Sequence, residues 1–230
     1  MTAVQNHLIE LLPRRDRSRL LGLCKPVELV LGTMLYQPGT PTRHVYFPVD
    51  GFISLLAQLD GEPVLEVGMI GREGMVGVQL ALGLATAPLH ALVQGGGSAL
   101  RIGSGAFRRE LAVSPALQRL LHRYLHVLMS QLTASATCLR FHLLAPRLAR
   151  WLLMSQDRAH RDNFAVTQKF LAYMLGVRRV GVTNAAGALQ RAGLIEYRHG
   201  ELRVHDRAGL EAAACCCYAT DRQVYRELLS

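Results

Sequence analysis

Between Val27 and about Ile102 the apolar residues come in short runs, separated by turn-forming signals. These are Leu31-Gly32, Pro38-Gly39, Asp50-Gly51, Asp60-Gly61 and Gly95-Gly96-Gly97. In one run Leu65, Val67 and Met69 alternate around Glu66 and Gly68, the period of a half-buried strand. Turns at roughly ten-residue spacing predict an antiparallel β barrel, roll or sandwich. Helical segments do not alternate with these strands, which argues against a Rossmann-type sheet. Ahead of this region, residues 4–23 read as short helices, with Leu8, Leu11 and Leu12 before Pro13 and Leu20, Leu21 and Leu23 after it.

A different pattern begins at Ser114-Pro115, a serine cap with proline in the first helical position. Behind it Leu117, Leu121, Leu125, Leu128, Leu132, Ser135 and Leu139 recur at steps of four and three. That spacing matches plain core packing as well as the seam of a coiled coil. A further helix starts near Pro146, with Leu148, Trp151 and Leu152 on one side and Arg147 and Arg150 on the other. The predicted class is α+β in three parts. Residues 1–113 form an antiparallel barrel, roll or sandwich with N-terminal helices, residues 114–144 a long helix, and residues 145–230 a C-terminal domain.

The C-terminal part carries the most specific local signals. Thr167 can cap a helix whose apolar face is Phe170, Leu171, Met174 and Leu175, and Gly176 ends it. A second helix follows from about Arg178 to Ala192, burying Val182, Ala185, Ala186 and Leu189 and leaving Arg179, Thr183, Asn184 and Gly187 outside. Gly193 closes it. Residues 195–204 then form a hairpin around His199-Gly200. Two helices joined by a tight glycine turn and followed by a hairpin make a winged helix-turn-helix, whose second helix enters a major groove. Residues 163–195 contain Lys169, Arg178, Arg179 and Arg191 and no acidic residue, so the segment attracts phosphate.

Charge extends that reading to the whole chain. The 230 residues carry 26 Lys and Arg against 17 Asp and Glu, a formal net charge of +9. Such a balance favours a polyanionic partner, either nucleic acid or an anionic surface. The N-terminus lacks a basic-then-apolar signal pattern and no window approaches about 18 apolar residues, so a cytoplasmic, non-membrane protein is expected. Its thiols would then be reduced. Cys24 and Cys138 are isolated, whereas Cys215, Cys216 and Cys217 are consecutive. On a continuous helix three such thiols point about 100° apart and cannot share one metal, so they read as small packing residues. His122 and His126 sit i, i+4 without a nearby carboxylate. No metal and no cofactor is expected.

The order of these parts resembles the Crp/Fnr superfamily of bacterial transcription regulators, which combine a cyclic-nucleotide-binding-like β-roll, a dimer helix and a winged helix-turn-helix. The sharpest match is T-x-x-x-L-A-x-x-L-G-V-x-R-x-x-V at Thr167, Leu171, Ala172, Leu175, Gly176, Val177, Arg179 and Val182. Val45-Tyr46-Phe47-Pro48 with Gly51 and Ser54, and then Gly71 through Gly77, are similar to strands and turns of the roll. The resemblance implies a homodimer joined along the leucine seam. It also implies duplex DNA as partner, read at pseudo-palindromic sites, with RNA polymerase as a second partner if the protein activates. A small-molecule effector remains open.

Departures from the family pattern matter. Val78, after Gly77, stands where cyclic-AMP-binding relatives carry glutamate, and Ala87-Pro88 stands near the phosphate arginine. Gly77, Val78, Ala87 and Pro88 therefore mark an effector position that has lost its cyclic-AMP contacts, although Arg72 or Arg101 could serve another anion. On the second helix Val180 and Asn184 replace the family's Glu and second Arg. Arg179, Val180 and Asn184 are the expected base-facing positions, with Arg179 suited to guanine, Val180 to a thymine methyl and Asn184 to adenine, and Thr183 lies on the same DNA-binding face. Gln168, Lys169, Arg178, Arg198 and His199 are expected at phosphates, and Thr167, the helix cap, is counted with them in the DNA-binding set. A cupin-like metal enzyme is the first alternative, but His44 and His90 form no H-x-H pair. A basic module meeting a small molecule or a membrane is the second, but residues 178–192 offer mostly alanine and glycine as the apolar side.

Overall fold

A computed structural model describes residues 6–62, 64–159, 162–198 and 200–229. Two short helices, α1 (His7–Glu10) and α2 (Arg14–Leu23), lead into the β-roll. Its sheet has the order β1-β5-β3-β4, with β2 also paired to β5, from β1 (Lys25–Leu29), β2 (Met34–Tyr36), β3 (His44–Ala57), β4 (Leu65–Ile70) and β5 (His90–Gly103). Every pairing is antiparallel. The α+β class and the roll follow the sequence expectation.

Two expected turns lie inside strands. Asp50-Gly51 and Gly95-Gly96-Gly97 sit midway along β3 and β5, where the register shifts at Pro48/Asp50, Asp50/Phe52 and Phe52/Ile53. Gly51 takes φ 77°, and a Cβ added to it would stand 2.3 Å from the Gly95 carbonyl oxygen. A Cβ on Gly97 would meet the Asp50 carbonyl oxygen at 2.4 Å. The glycines thus serve a bulge through close backbone approach, and not a chain reversal. The bulge also accommodates Pro48, which has no N–H to give the ladder.

The roll's apolar interior includes Ile53, Leu55, Ile70, Val76, Ala87, Ala91 and Val93. Helix α3 (Ser104–Val113) follows β5. Sequence pattern gave no sign of it, since it starts at Ser104-Gly105 and Gly103 supplies no side-chain cap. Helix α4 (Pro115–Phe141) begins as expected, the Ser114 hydroxyl oxygen accepting the Leu117 N–H at 3.2 Å.

The leucine seam of α4 faces the protein's own roll. Leu117 and Leu121 are fully buried with Leu120 and Tyr124 in a cluster that includes Leu8, Phe47, Met75 and Phe107. Leu125 and Leu128 pack at its edge, Leu132 approaches Gly68 of β4, and Ser135 is half-buried. Leu139 alone of the seven is exposed. Leu117 and Leu121 are therefore core residues and cannot meet a partner helix. The opposite stripe of α4, His122, His126, Met129, Thr133, Ala136 and Arg140, has the same four-three spacing and is exposed throughout.

Helix α5 (Leu144–Ala159) joins the two halves. Residues Arg147 to Gln156 are all buried between the roll strands on one side and the C-terminal helices on the other. Arg147 and Arg150, placed by pattern on a polar face, are buried too. The Arg147 guanidinium donates to the Leu175 carbonyl, and Arg150 pairs with Asp221 at 2.7 Å. Phe52, Leu56 and Met69 of the roll share one apolar cluster with Leu152, Leu171, Val182 and Leu210. Beyond α5 come β6 (Asn163–Ala165), α6 (Gln168–Leu175), α7 (Arg179–Arg191), β7 (Ile195–Arg198), β8 (Glu201–Val204), α8 (Arg207–Ala213) and α9 (Cys217–Leu229). The helix expected to run through Cys215–Cys217 is broken, because α8 ends at Ala213 and α9 begins at Cys217. Helix α9 returns along α4.

Candidate nucleic-acid interface

The Thr167 hydroxyl accepts the Phe170 N–H at 3.2 Å and fixes the start of α6, a cap worth about 1 kcal/mol. Leu171, Ala172, Met174 and Leu175 are buried. Gly176 then turns the chain at φ 63°, in the left-handed region that glycine enters at least cost. A Cβ there would also stand 2.8 Å from the Leu65 side chain of β4. The turn is thus held against the roll.

Helix α7 buries Val182, Ala185, Ala186 and Leu189, as the spacing predicts. Arg178, Arg179, Val180, Thr183 and Asn184 are exposed along its first two turns, Val180 at 64 %. No side chain caps this helix, and Arg178 occupies the cap position. Its free N–H groups and positive dipole end therefore share a surface with two guanidinium groups, a combination suited to an anion. Thr183 donates through Oγ1 to Gln168 Oε1 at 2.7 Å and to the Arg179 carbonyl at 3.1 Å, tying the base of α6 to α7.

The wing is a three-stranded sheet of order β6-β8-β7, one strand more than the expected hairpin. Short β6 was missed because Asn163-Phe164-Ala165 has no alternation of its own. It is recruited by main-chain pairing with Arg203, Leu202 and Glu201. Thr167, Gln168, Lys169, Arg179, Tyr197 and Gly200 line a concave cleft of about 530 Å³ between α6, α7 and the wing. Tyr197, absent from the sequence-based site, donates its hydroxyl to the Val166 carbonyl at 2.7 Å. Burial pushes its phenol pKa up, against the pull of the Arg179 charge. Arg198 is exposed but pairs with Glu196 at 3.0 Å, so its charge is partly offset by that carboxylate. His199 lies outside the described residues. Behind the wing, Arg207 binds Asp157 at 2.7 Å and Glu211 at 3.0 Å, anchoring α8 to α5.

The effector positions are not gathered in the same way. Gly77 and Val78 open a 3₁₀ turn at Val78–Leu82 and are buried, Ala87 belongs to the roll's apolar interior, and Pro88 is exposed. Space beside Gly77 is taken by the Tyr36 hydroxyl, which donates to the His44 carbonyl. Arg72 makes a loose pair with Glu10 at 4.0 Å.

Residues 146–213 match the family described as the Crp-like helix-turn-helix domain. The chain's overall fold is shared with solved Crp/Fnr regulators. A transcriptional regulator of that family from Eubacterium rectale superposes with TM-score 0.70 at 14% identity, covering 91% of this chain and 99% of the other. FixK2 from Bradyrhizobium japonicum gives TM-score 0.68 at 15% identity, with coverage of 84% and 98%. The c-di-GMP-responsive global regulator CLP of Xanthomonas campestris gives 0.67 at 19%, with coverage of 84% and 100%. No curated protein sequence matches the chain. Among the described residues no helix is long and apolar enough to cross a membrane.

Proposed function

We propose that this protein is a sequence-specific, dimeric DNA-binding transcription regulator of Crp/Fnr type, acting in the cytoplasm and without catalytic activity. The observation that carries the reading is the exposed face of α7. Arg178, Arg179, Thr183 and Asn184 project from a helix whose other face is locked in the core, within a segment free of acidic side chains. Arg179, Val180 and Asn184 then read base edges. Thr167, Gln168, Lys169 and Arg178 hold backbone phosphates, Arg198 more weakly because of Glu196. A dimer would present two such helices to half-sites about one helical turn apart.

The second copy docks along the outer stripe of α4. Met129 is 64 % exposed, and small Thr133 and Ala136 let two helices approach. The roll serves as a scaffold that does not require cyclic AMP, since neither a carboxylate at position 78 nor a cation near Ala87 is present. A buried phosphate there would be uncompensated.

Selection of bound sequences from random duplex DNA, followed by affinity measurement over a salt series, tests the reading. A palindromic consensus is expected, with a log–log salt slope of roughly −7 if each subunit neutralises about four phosphates. Salt-insensitive binding, or no enriched sequence, would overturn it.

A further inference from the structure

Cys138, isolated in the sequence, meets two of the three consecutive cysteines in space. Cys138 lies on the last turn of α4 and His142 is the residue that caps it, one turn later on the same face. Cys215 and Cys217 come from the break between α8 and α9. One donor atom from each of the four lies within 4.8 Å of every other. The Cys138 and Cys215 sulfurs are 3.4 Å apart, and Cys217 Sγ is 3.6 Å from His142 Nδ1. A tetrahedral zinc ion with Zn–S of about 2.3 Å and Zn–N of about 2.0 Å holds its ligand atoms roughly 3.5–3.8 Å apart. The cluster is already close to that size.

We propose that Cys138, His142, Cys215 and Cys217 form a Cys3His site for a single zinc ion. The donor set, soft thiolates with one imidazole, is the one zinc takes in closed structural sites. Binding releases the three thiol protons to solvent. The filled site carries one net negative charge, and the buried guanidiniums of Arg147 and Arg150 stand close enough to Cys138 and Cys215 to balance it. All three sulfurs are buried.

The break at residues 214–216 removes the objection that consecutive helical thiols diverge. Cys215 and Cys217 turn inward, while Cys216 remains exposed with its sulfur 3.7 Å from His142 Nε2. Cys216 is thus left outside the donor set. The Cys215 N–H also donates to the Pro146 carbonyl at 3.3 Å, so the site spans the joint between α4 and α5. An ion there fastens the DNA-binding half to the long helix.

The test uses full-length protein isolated anaerobically with a non-thiol reductant, its metals counted by mass spectrometry. Wild type should hold about one zinc per chain, and cobalt substituted for it should give the absorption bands of tetrahedral thiolate coordination. Cys216→Ser should retain the ion. Cys217→Ser and His142→Ala should each weaken zinc binding at least about a hundredfold. Zinc added to metal-free protein should raise the melting temperature of wild type and leave that of Cys217→Ser unchanged. Should a variant fail to fold, the wild-type titration still decides. No zinc uptake by wild type at micromolar free metal would overturn the proposal. So would loss of the ion in Cys216→Ser, iron with sulfide in its place, or a Cys138–Cys215 disulfide in the anaerobic protein.

Discussion

The indole N–H of Trp151 donates to the carboxyl of Glu66 at 2.9 Å, joining helix α5 to strand β4 of the roll. Ser54 donates to the other oxygen at 2.5 Å. Burial outweighs these bonds and the more distant Arg158 and Arg150 charges, and pushes the Glu66 pKa up to about 7. A carboxyl raised in the fold stabilises it while protonated. That contribution is full below the ordinary value of about 4.5 and is lost as pH rises through about 7. Glu66→Gln keeps an acceptor for Trp151 and carries no charge. It should match wild type near pH 4.5 and exceed it by roughly 2–3 kcal/mol near pH 8 in chemical denaturation. An advantage independent of pH would show that another group titrates.

Glu66 also marks where sequence reading stops. The alternation of residues 65–69 identified β4 correctly, yet its glutamate faces Trp151 and not solvent. Period alone reports that a strand has two faces, and not what covers the second. The leucine stripe of α4 shows the same gap, for a spacing compatible with a dimer seam equally fits packing on the roll. In contrast, Thr167, Gly176 and the buried set Val182, Ala185, Ala186 and Leu189 were legible because capping, left-handed turns and helical faces are local chemistry. The Gly95–Gly97 run, Tyr197 and the partnership of Cys138 with Cys215 depend on residues far away in the chain, so no local pattern announces them.

The orientation of α4 makes the proposed dimer testable at a position that spares the protomer. Met129→Asp places a charge on the exposed stripe, where two copies would bring like charges together. Sedimentation at micromolar concentration should show a dimer for wild type and monomer for the variant, with unchanged circular dichroism. Leu121→Asp, in the core, should instead unfold the protein. A Met129→Asp protein that remains dimeric would move the interface elsewhere.

Cyclic AMP should not bind tightly. Val78 cannot accept from a ribose hydroxyl, and the Tyr36 hydroxyl and Ala87 occupy apolar interior where a phosphate would need a cation. Titration calorimetry should detect no binding at micromolar concentration, and DNA affinity should be the same with and without the nucleotide. Micromolar binding would mean that Arg72 leaves Glu10, or that Arg101 turns, to supply the missing charge.

Arg179 and Arg198 should separate base reading from phosphate binding. Arg179 is the first residue of α7, on the face left open when Val182, Ala185 and Leu189 pack inward. Its guanidinium is matched to the O6 and N7 edge of guanine. Arg179→Ala should cost about 1–3 kcal/mol per half-site on the selected operator and relax preference at one base pair. Arg198→Ala removes a wing charge already shared with Glu196 at 3.0 Å. Its loss should be smaller, nearly equal on operator and random DNA, and accompanied by a shallower salt slope. Glu196→Gln frees Arg198 from its partner and should strengthen binding to both DNAs alike. Equal losses on both DNAs for Arg179→Ala would make it a phosphate contact and would take α7 out of the groove.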